Sequence, residues 1–509
     1  MKLVKAMATV GGLTALSRVA GFIRDILTAA ILGAGPIADA FFVALKLPNF
    51  FRRVTAEGAF SVSFVPLYSE ALETEGRGSA DSFAGNAMVI MFWGLLVFTV
   101  VMIVFMPAVI SLIAPGFAHD ADPMRFNLAV TLSRITFPYL LMMSVAALMG
   151  GVLNAHGRFA PFAAAPILFN VALIGVLLFA WKFHTAAHAL AIGVLIAGVL
   201  QFALLYIYIR RQKIHLPLMR PHFDVRIKKL FKLMGPGVLG AGVMQVNLFA
   251  DMIIGSFLPI GSISYLYYAD RLNQLPLSTV GIAVGTALLP MLSRAVGAGQ
   301  VDEAKYLFNR ALEAVLFLGL PAALALLVLA EPIIHVLFVR GQFDAQDAHM
   351  TALVLQGYSI GLPAYIAAKV FSTAFWSRQD TMTPVKISII VALTNIVLAL
   401  SLIQFIGVAG IALATGLVAW LQIALLARPL KDSPVGQLDA RFKRGLPRII
   451  LSSCLMTGVL YTLMQVLPGY DLFSLGILIA AGLAVYGVSV FATGALSTQD
   501  IKNYFVKKA

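Results

Sequence analysis

Residues 14–58 read TALSRVAGFIRDILTAAILGAGPIADAFFVALKLPNFFRRVTAEG. The length and apolar content of this stretch predict two membrane-spanning helices joined by a turn at residues 33–36. The same stretch is densely charged, with Arg18, Arg24, Asp25, Asp39, Lys46, Arg52, Arg53 and Glu57. One charge at the centre of a bilayer costs about 3 kcal/mol. These side chains are therefore expected to face water, each other or a charged ligand.

The composition of the whole chain is that of a membrane protein. Its 509 residues are 60% hydrophobic and 12% charged, with a mean hydropathy of +0.92, whereas about 25% of residues are charged in soluble domains. Apolar runs of about 20 residues predict an all-α polytopic membrane protein with fourteen transmembrane helices. The predicted spans lie near residues 9–32, 36–68, 84–113, 125–153, 160–181, 188–209, 235–258, 263–292, 308–330, 347–375, 383–403, 407–427, 447–467 and 472–495.

The positive charge of the chain follows the topology of these helices. The formal net charge is +14, and most Lys and Arg residues fall in alternate loops, which is the usual orientation signal. Both termini are therefore predicted to be cytoplasmic, and the basic balance requires no nucleic-acid partner. Cys454 is the only cysteine, so an intramolecular disulfide is excluded, and the eight histidines lack metal-ligand spacing.

The charges of residues 14–58 follow a helical pattern. Asp39, Lys46 and Arg53 are spaced by seven residues and Glu57 lies four further on, so the four fall within roughly 40° of each other on a helix. A solvated surface face is the common explanation of such a stripe, but inside a membrane it predicts one wall of a water-filled cavity. In the first helix, a break at Gly21 would let both arginines face this cavity; a neutralising Arg18–Asp25 pair is the alternative.

The chain contains an internal repeat. Shifted by 224 residues, segment 49–71 aligns with 273–295, and shifted by 225, segment 115–141 aligns with 340–366. Helices 1–6 and 7–12 are therefore predicted to be two parallel six-helix repeats, or lobes, followed by two extra C-terminal helices. Parallel repeats are typical of transporters with the substrate site between the lobes.

This repeat sets the predicted domain boundaries. They are an N-lobe at 1–220 with helices 1–6, a C-lobe at 221–430 with helices 7–12, and a C-terminal part at 431–509 with helices 13–14 and a cytoplasmic tail. The C-lobe is predicted to begin with a short interfacial helix at 222–234, because apolar and basic residues separate there onto different faces. A plain basic connector is the alternative for this segment.

The charges inside the predicted spans are unbalanced. The bases are Arg18, Arg24, Lys46, Arg52, Arg53, Arg134, Arg271 and Lys369, and the acids are Asp25, Asp39, Glu57, Asp251 and Asp270. Since arginine binds phosphate oxygens in a bidentate way, this excess predicts a cationic cavity for an anionic, phosphorylated substrate. Asp251 with Asn395 and Thr415 is a candidate cation site, for which hydrogen bonding between packed helices is the alternative.

Two other classes of protein fit the sequence less well. A polytopic enzyme would present its acids in a sizeable outer loop, whereas the outer loops here are short and their acids, Asp120 and Asp122, lack partners. A scaffold would not need arginines within the membrane. The sequence has no GxxxxGK[ST] loop for ATP, so the expected driving force is an ion gradient or the membrane potential, about 2.3 kcal/mol per charge per 100 mV.

Several motifs resemble the MurJ/MviN family over essentially the whole chain. They are SRVAGFIRD (17–25), ADAFFVALKLPNFFRRVTAEGAFSVSFVPLYSE (38–70), YYADRLNQLP (267–276), GTALLPMLS (285–293) and SRQDTMTPVK (377–386). The resemblance implies a lipid II flippase of the multidrug/oligosaccharidyl-lipid/polysaccharide exporter superfamily. It implies two lobes around a central cationic cavity, with a groove for the lipid tail formed by the last two helices.

The resemblance also implies a mechanism and a set of site residues. Lipid II would cross from the cytoplasmic to the periplasmic leaflet of the bacterial inner membrane by alternating access, carried by a monomer without a cofactor other than a coupling Na⁺ at Asp251, Asn395 and Thr415. The family's cavity positions match Ser17, Arg18, Arg24, Asp25, Asp39, Lys46, Arg52, Glu57, Asp270, Arg271 and Lys369; the repeat and the charge pattern add Asn49, Arg53 and Arg134.

One position departs from the family's pattern. Gln274 stands where relatives carry Glu, so a role that depends on a charged side chain at this position is in doubt. Export of another lipid-linked saccharide, or of an amphipathic anion, is the alternative function, because a cavity that binds a diphosphate does not read the sugar.

Overall fold

The computed structural model describes residues 2–53, 60–431, 433–467 and 469–495, and over these ranges most of the backbone is helical. They contain no β-strand, only an isolated bridge between Arg340 and Phe343. The predicted all-α fold class is confirmed. Glu57, a predicted site residue, lies outside the described residues.

Nineteen α-helices follow one another along these ranges. The first ten are α1 (Lys2–Leu32), α2 (Pro36–Phe51), α3 (Ser61–Thr74), α4 (Arg77–Val104), α5 (Met106–Ile113), α6 (Pro115–Ala118), α7 (Met124–Thr136), α8 (Tyr139–Ala155), α9 (Ala160–Leu177) and α10 (Ala186–Arg211). The other nine are α11 (Val225–Ser256), α12 (Ser262–Gly297), α13 (Val301–Val328), α14 (Ala330–Phe338), α15 (Ala345–Trp376), α16 (Met382–Ile406), α17 (Ala409–Lys431), α18 (Ala440–Val466) and α19 (Leu472–Ala492).

The chain is a multi-pass membrane protein. Within the described ranges, ten helical segments are long and apolar enough to cross a membrane. The number of fourteen spans stays a prediction. Some predicted spans are divided by proline, which cannot donate a backbone hydrogen bond inside a helix. The predicted span 84–113 is split between α4 and α5, with Pro107 in the first turn of α5, and the span 125–153 is split at Pro138, which precedes α8.

Two predicted features of the helices are wrong. The first helix, α1, runs without a break through Gly21. The interfacial helix is not separate, because residues 225–234 are the first turns of the long helix α11. The side chain of Asp224 caps these turns, and Arg226 pairs with Glu75 in the connection between α3 and α4. The hydrogen bond from Arg226 holds the pKa of Glu75 below its usual range.

The chain folds as two compact units. The first comprises Met1–Ser264 with Arg340–Phe343, and the second comprises Tyr265–Val339 with Asp344–Ala509. In the first unit α9 packs against α1 and α10, and α2 packs against α7; in the second, α15 packs against α13 and α17, and α18 against α13 and α19. These units are defined by the packing of the helices, whereas the predicted lobes are defined by the sequence repeat. The lobe boundaries at 220 and 430 stay a prediction.

The helix boundaries repeat along the chain as the sequence does. The helices α4 and α13 each contain 28 residues and begin 224 positions apart, at Arg77 and Val301. The short helices α5 and α14 follow at Met106 and Ala330, again 224 positions apart. The order and lengths of these helices therefore support two copies of one unit.

Two glycine contacts join the repeats reciprocally. In α6, a Cβ added to Gly116 would stand 2.1 Å from the carbonyl oxygen of Ser256, at the end of α11. Gly341 is its counterpart in the repeat, and a Cβ added there would stand 2.1 Å from the carbonyl oxygen of Ala30, near the end of α1. The N–H of Gln342 donates a hydrogen bond of 2.8 Å to that same oxygen. Each repeat thus holds the first helix of the other through a close backbone approach.

We predict that Gly341→Ala lowers the melting temperature of the purified protein far more than Gly407→Ala does. Both glycines have positive φ, +61° and +56°, a backbone conformation that costs an alanine about 1–3 kcal/mol at either position. Only at Gly341 would the new Cβ also collide with a neighbouring backbone; at Gly407 nothing lies within 4 Å. Equal shifts in thermal unfolding would contradict the importance of this contact.

Candidate functional site

A buried charged cluster lies where α1 packs against α9. Arg24 is 8% exposed, and its Nε (3.1 Å) and Nη2 (2.7 Å) both donate to Oδ1 of the buried Asp25. Nη1 of Arg24 donates to Oδ1 of Asn170 on α9 at 2.8 Å. The guanidinium carbon lies 5.7 Å from the ring centroid of Phe169. The protein itself thus supplies the polar partners that this arginine needs inside an apolar helix pair.

The amide of Asn170 also binds the preceding turns of α1. Its Nδ2 donates to the carbonyl oxygen of Ser17 at 2.9 Å. Gly21 lies between Ser17 and Arg24, and a Cβ added there would be 3.4 Å from Nδ2 of Asn170. The absence of a larger side chain at residue 21 therefore lets Asn170 lie flat against α1 and contact residues two turns apart.

The carboxylate of Asp39 joins the first turn of α2 to the first turn of α12. Asp39 is 0% exposed. Its Oδ1 accepts hydrogen bonds from the backbone N–H (2.9 Å) and the Oγ (2.6 Å) of Ser264, and its Oδ2 accepts one from the N–H of Gly261 (2.8 Å). The N–H groups at the start of a helix favour an anion. The predicted stripe is not solvated at Asp39 in this structure, because the carboxylate is fully buried and its oxygens accept hydrogen bonds from the protein.

Arg125 is a second partner of this carboxylate. Its Nη1 lies 3.5 Å from Oδ2 of Asp39, while its Nε and Nη2 each donate to Asp120 at 2.6 Å. Its guanidinium carbon is 4.5 Å from the ring centroid of Phe117. The prediction that Asp120 lacks a partner is wrong, because this bidentate pair is of the strong, charge-assisted kind. Arg125 therefore links the loop before α7 to the contact between α2 and α12.

The other predicted residues of α2 become more exposed toward the end of the helix. Lys46 and Asn49 are partly buried. Nδ2 of Asn49 donates to the carbonyl oxygen of Leu45 (2.8 Å), and its Oδ1 accepts from Nε of Arg52 (3.2 Å). Arg53 is exposed. The basic part of the predicted stripe thus lies in the second half of α2 and just beyond its end at Phe51.

Two predicted site arginines lie at the surface of the protein. Arg18 is exposed on α1, and Asp25, its predicted alternative partner, pairs with Arg24 instead. Arg134 is exposed in the last turn of α7, where its Nε donates to the carbonyl oxygen of Ile103 at 3.1 Å. Arg18 is therefore accessible at the surface next to the buried cluster of α1 and α9.

In the second unit, α12 carries a short polar turn. Asp270 and Arg271 are partly buried, and Nε2 of Gln274 donates a hydrogen bond to Asp270. The guanidinium carbon of Arg271 lies 4.6 Å from the ring centroid of Tyr267, in reach of a cation–π interaction. An amide at residue 274 can donate this bond to Asp270, whereas an ionised glutamate could not. The departure at Gln274 therefore has a structural role.

Lys369 lies on α15 and packs against α12 in the same unit. Its side chain is partly buried, and a Cβ added to Gly281 would stand 3.2 Å from its Nζ. The glycine at residue 281 thus leaves room for the ammonium group between the two helices.

The three residues of the predicted sodium site do not all belong to one unit. Oγ1 of Thr415 donates to Oδ1 of Asn395 at 3.3 Å in the second unit, whereas Asp251 belongs to the first. In the part of the chain that the structure describes, no three His, Cys, Asp or Glu side chains gather as metal ligands would. A sodium site at these residues stays a prediction.

The charge pattern alone did not identify three of the contacting residues. Asn170 is a single polar residue in an apolar run, and Arg125 stands at the first residue of the predicted span 125–153, outside the predicted site. Ser264 carries no charge and lies far from Asp39 in sequence. The polar residue within the predicted fifth span was a usable signal for Asn170; nothing in the local sequence indicates the other two contacts.

Comparisons with known proteins agree on one family. The family model described as "Lipid II flippase MurJ" matches residues 28–481. A Rhizobium meliloti (strain 1021) protein described as "Probable lipid II flippase MurJ" is 40% identical over 99% of this chain and 96% of its own length. A solved structure described as "Lipid II flippase MurJ, inward closed conformation" covers 94% of this chain and 97% of its own, with 28% identity and a TM-score of 0.81.

A second solved structure is similar in fold alone. It is described as the inward-facing conformation of a multidrug resistance MATE family transporter of the MOP superfamily, covers 84% of this chain and 99% of its own, and has 13% identity with a TM-score of 0.69.

We predict that Asp39→Asn destabilises the protein by about 2 kcal/mol, because an amide nitrogen would face backbone N–H donors that now bind an anion. The melting temperature in detergent should fall by several degrees. Asp122→Asn is the matched control: Asp122 is exposed and accepts one local hydrogen bond, from the N–H of Met124, so its melting temperature should stay unchanged. Similar melting temperatures for the two variants would refute the role of Asp39 in joining the first turns of α2 and α12.

Proposed function

The chain belongs to the lipid II flippase MurJ family, and from this membership we propose that it flips lipid II, the lipid-linked precursor of peptidoglycan. Transport would run from the cytoplasmic to the periplasmic leaflet of the bacterial inner membrane. In this proposal the protein is a transporter and not an enzyme. The similarity to relatives described as lipid II flippases covers nearly the whole chain, which supports a shared substrate.

The observation that carries this proposal is the charged cluster of Arg24 with Asp25 and Asn170. A guanidinium held between apolar helices is costly, and a transporter of a lipid-linked diphosphate has a use for it. Arginine presents a planar set of donors that matches phosphate oxygens. Arg18, exposed on the same helix, and Arg271 on α12 are the further bases that we assign to the diphosphate.

We assign alternating access to the two repeats. The fold similarity to an inward-facing transporter of the MOP superfamily is compatible with this mechanism. The contact of Asp39 with the first turn of α12 is our candidate for a latch that has to open during the cycle. Its hydrogen bonds are to backbone and hydroxyl groups, so water can replace each donor when the turns separate.

The proposed driving force is the membrane potential or an ion gradient. Moving one negative charge outward from a negative interior releases about 2.3 kcal/mol per 100 mV, and a diphosphate with two charges would gain roughly twice that. A coupling Na⁺ at Asp251, Asn395 and Thr415 belongs to the same proposal. Both termini are proposed to be cytoplasmic, as the distribution of basic loops suggests.

We further propose that the protein acts as a monomer and that α18 and α19 hold the isoprenoid tail. These helices pack against each other and against α13 or α14 of the second unit, and their outer residues include Leu451, Leu455 and Leu483, all exposed. An exposed leucine surface on a membrane helix is suited to an acyl or isoprenoid chain. Export of another lipid-linked saccharide remains the alternative substrate within this family of folds.

We predict that Arg24→Ala abolishes growth support in a bacterial strain depleted of its own lipid II flippase. The reason is the loss of the buried guanidinium that we assign to the diphosphate. Arg158→Ala is the control, since Arg158 is exposed in the turn between α8 and α9, and it should support growth like the unchanged protein. Both variants need to be present in the membrane at the level of the unchanged protein.

A direct transport measurement separates lipid II from other substrates. Radiolabelled lipid II should become accessible at the periplasmic face of the membrane in intact cells only when this protein is active. Normal growth with Arg24→Ala at ordinary expression would contradict the site assignment. Appearance of lipid II at the same rate without the protein would contradict the function itself.

A further inference from the structure

We propose that Asn170 is a positioning residue for Arg24 and thereby sets how tightly the diphosphate of the substrate binds. The inference rests on the proposed function, because it names the residue that orients the arginine assigned to the anion. Asn170 was not among the residues that the charge pattern or the family resemblance singled out.

The contacts of Asn170 fix the orientation of its amide. The side chain is 5% exposed, its Oδ1 accepts from Nη1 of Arg24 (2.8 Å), and its Nδ2 donates to the carbonyl oxygen of Ser17 (2.9 Å). A carbonyl oxygen can only accept and a guanidinium can only donate. The reversed amide would therefore lose both hydrogen bonds, so the oxygen of Asn170 has to face Arg24.

The amide supplies a second fixed point for the guanidinium. Nε and Nη2 of Arg24 both donate to the same oxygen of Asp25, which holds one edge of the guanidinium. Asn170 holds Nη1, on the other side of the group. Bidentate binding of phosphate depends on the orientation of this plane. The two acceptors together therefore set the direction in which Arg24 can meet an anion.

A neutral residue suits this task. An aspartate at residue 170 would also hold Nη1, but Asp25 already balances the charge of Arg24, so a second carboxylate would make the cluster negative and repel a diphosphate. Asparagine orients the guanidinium without changing the net charge of the cluster.

The geometry of α1 makes the contact sensitive to residue 21. Side chains on a helix lean toward its N-terminus, so Arg24 reaches back over Gly21 to meet the amide. A Cβ at residue 21 would stand in ordinary contact with Asn170, 3.4 Å from its Nδ2. Alanine therefore fits there, whereas a leucine would displace the amide from both of its partners.

The test is a double-mutant cycle on lipid II binding by the purified full chain. Purified lipid II in detergent is the probe, with Asn170→Ala, Arg24→Ala and the double variant compared with the unchanged protein. Asn170→Ala should weaken binding by about tenfold, the usual order for a lost hydrogen bond to a charged group. If Asn170 acts through Arg24, adding Asn170→Ala to Arg24→Ala should cause no further loss. A purely structural role would instead give effects that multiply.

Matched variants guard against misfolding. Gln201→Ala removes another buried amide, on α10, which donates to the carbonyl oxygen of Ala165 on α9 but does not touch Arg24; its binding should equal that of the unchanged protein. If Asn170→Ala does not fold, comparing Gly21→Leu with Gly21→Ala tests the same contact. Lipid II binding should weaken in the leucine variant alone.

The outcomes separate this inference from the proposed function. The role of Asn170 is overturned if Asn170→Ala binds lipid II as tightly as the unchanged protein, or if the losses multiply in the double variant. In either case, lipid II binding by the unchanged protein still upholds the proposed function. The proposed substrate fails if the unchanged protein does not bind lipid II but binds undecaprenyl diphosphate that carries a different saccharide. The positioning role of Asn170 still stands if the double-mutant cycle with that lipid is non-additive.

Discussion

A charged side chain in an apolar helix has to be solvated by the protein, because the hydrocarbon of a bilayer offers no hydrogen bonds. The described part of the first unit satisfies this constraint in two ways. Arg24 is held by a carboxylate on its own helix and by an amide on the neighbouring helix. Asp39 is held by the N-terminal donors of α12. The first charge thereby ties α1 to α9, which pack against each other, and the second ties the first turn of α2 to the first turn of α12.

These two sites differ in how accessible their charged groups and neighbouring residues are. The Asp39 carboxylate is enclosed by donors that belong to a helix end, and no part of it is exposed, so it serves contact between turns. The Arg24 cluster is adjacent to the exposed Arg18 on the same helix. In the proposed cycle, the cluster at Arg24 is the element that binds the substrate and the contact at Asp39 is the element that opens.

Local patterns predicted the fold well and the contacts poorly. Apolar runs and proline positions determine where helices lie, and the similarity of 49–71 to 273–295 predicted the recurrence seen in α4 and α13. Periodicity predicted which residues share a face of α2, but not that this face is buried at Asp39. Its partner, Ser264, lies 225 residues away and is neutral, so no charge pattern marks it. The same holds for Asn170, whose role depends on where α9 packs against α1.

The contact between the first turn of α2 and the first turn of α12 limits how a chain with two repeats can evolve from a single copy. The two turns are counterparts in the repeat, so in a symmetric homodimer of half-length chains this turn would face its own copy across the two-fold axis. Aspartate would then oppose aspartate, and two close carboxylates repel each other or share a proton. Fusion of the two copies into one gene removes that restriction. One turn can keep the acid while the other supplies the donors, so this contact requires two copies that differ in sequence.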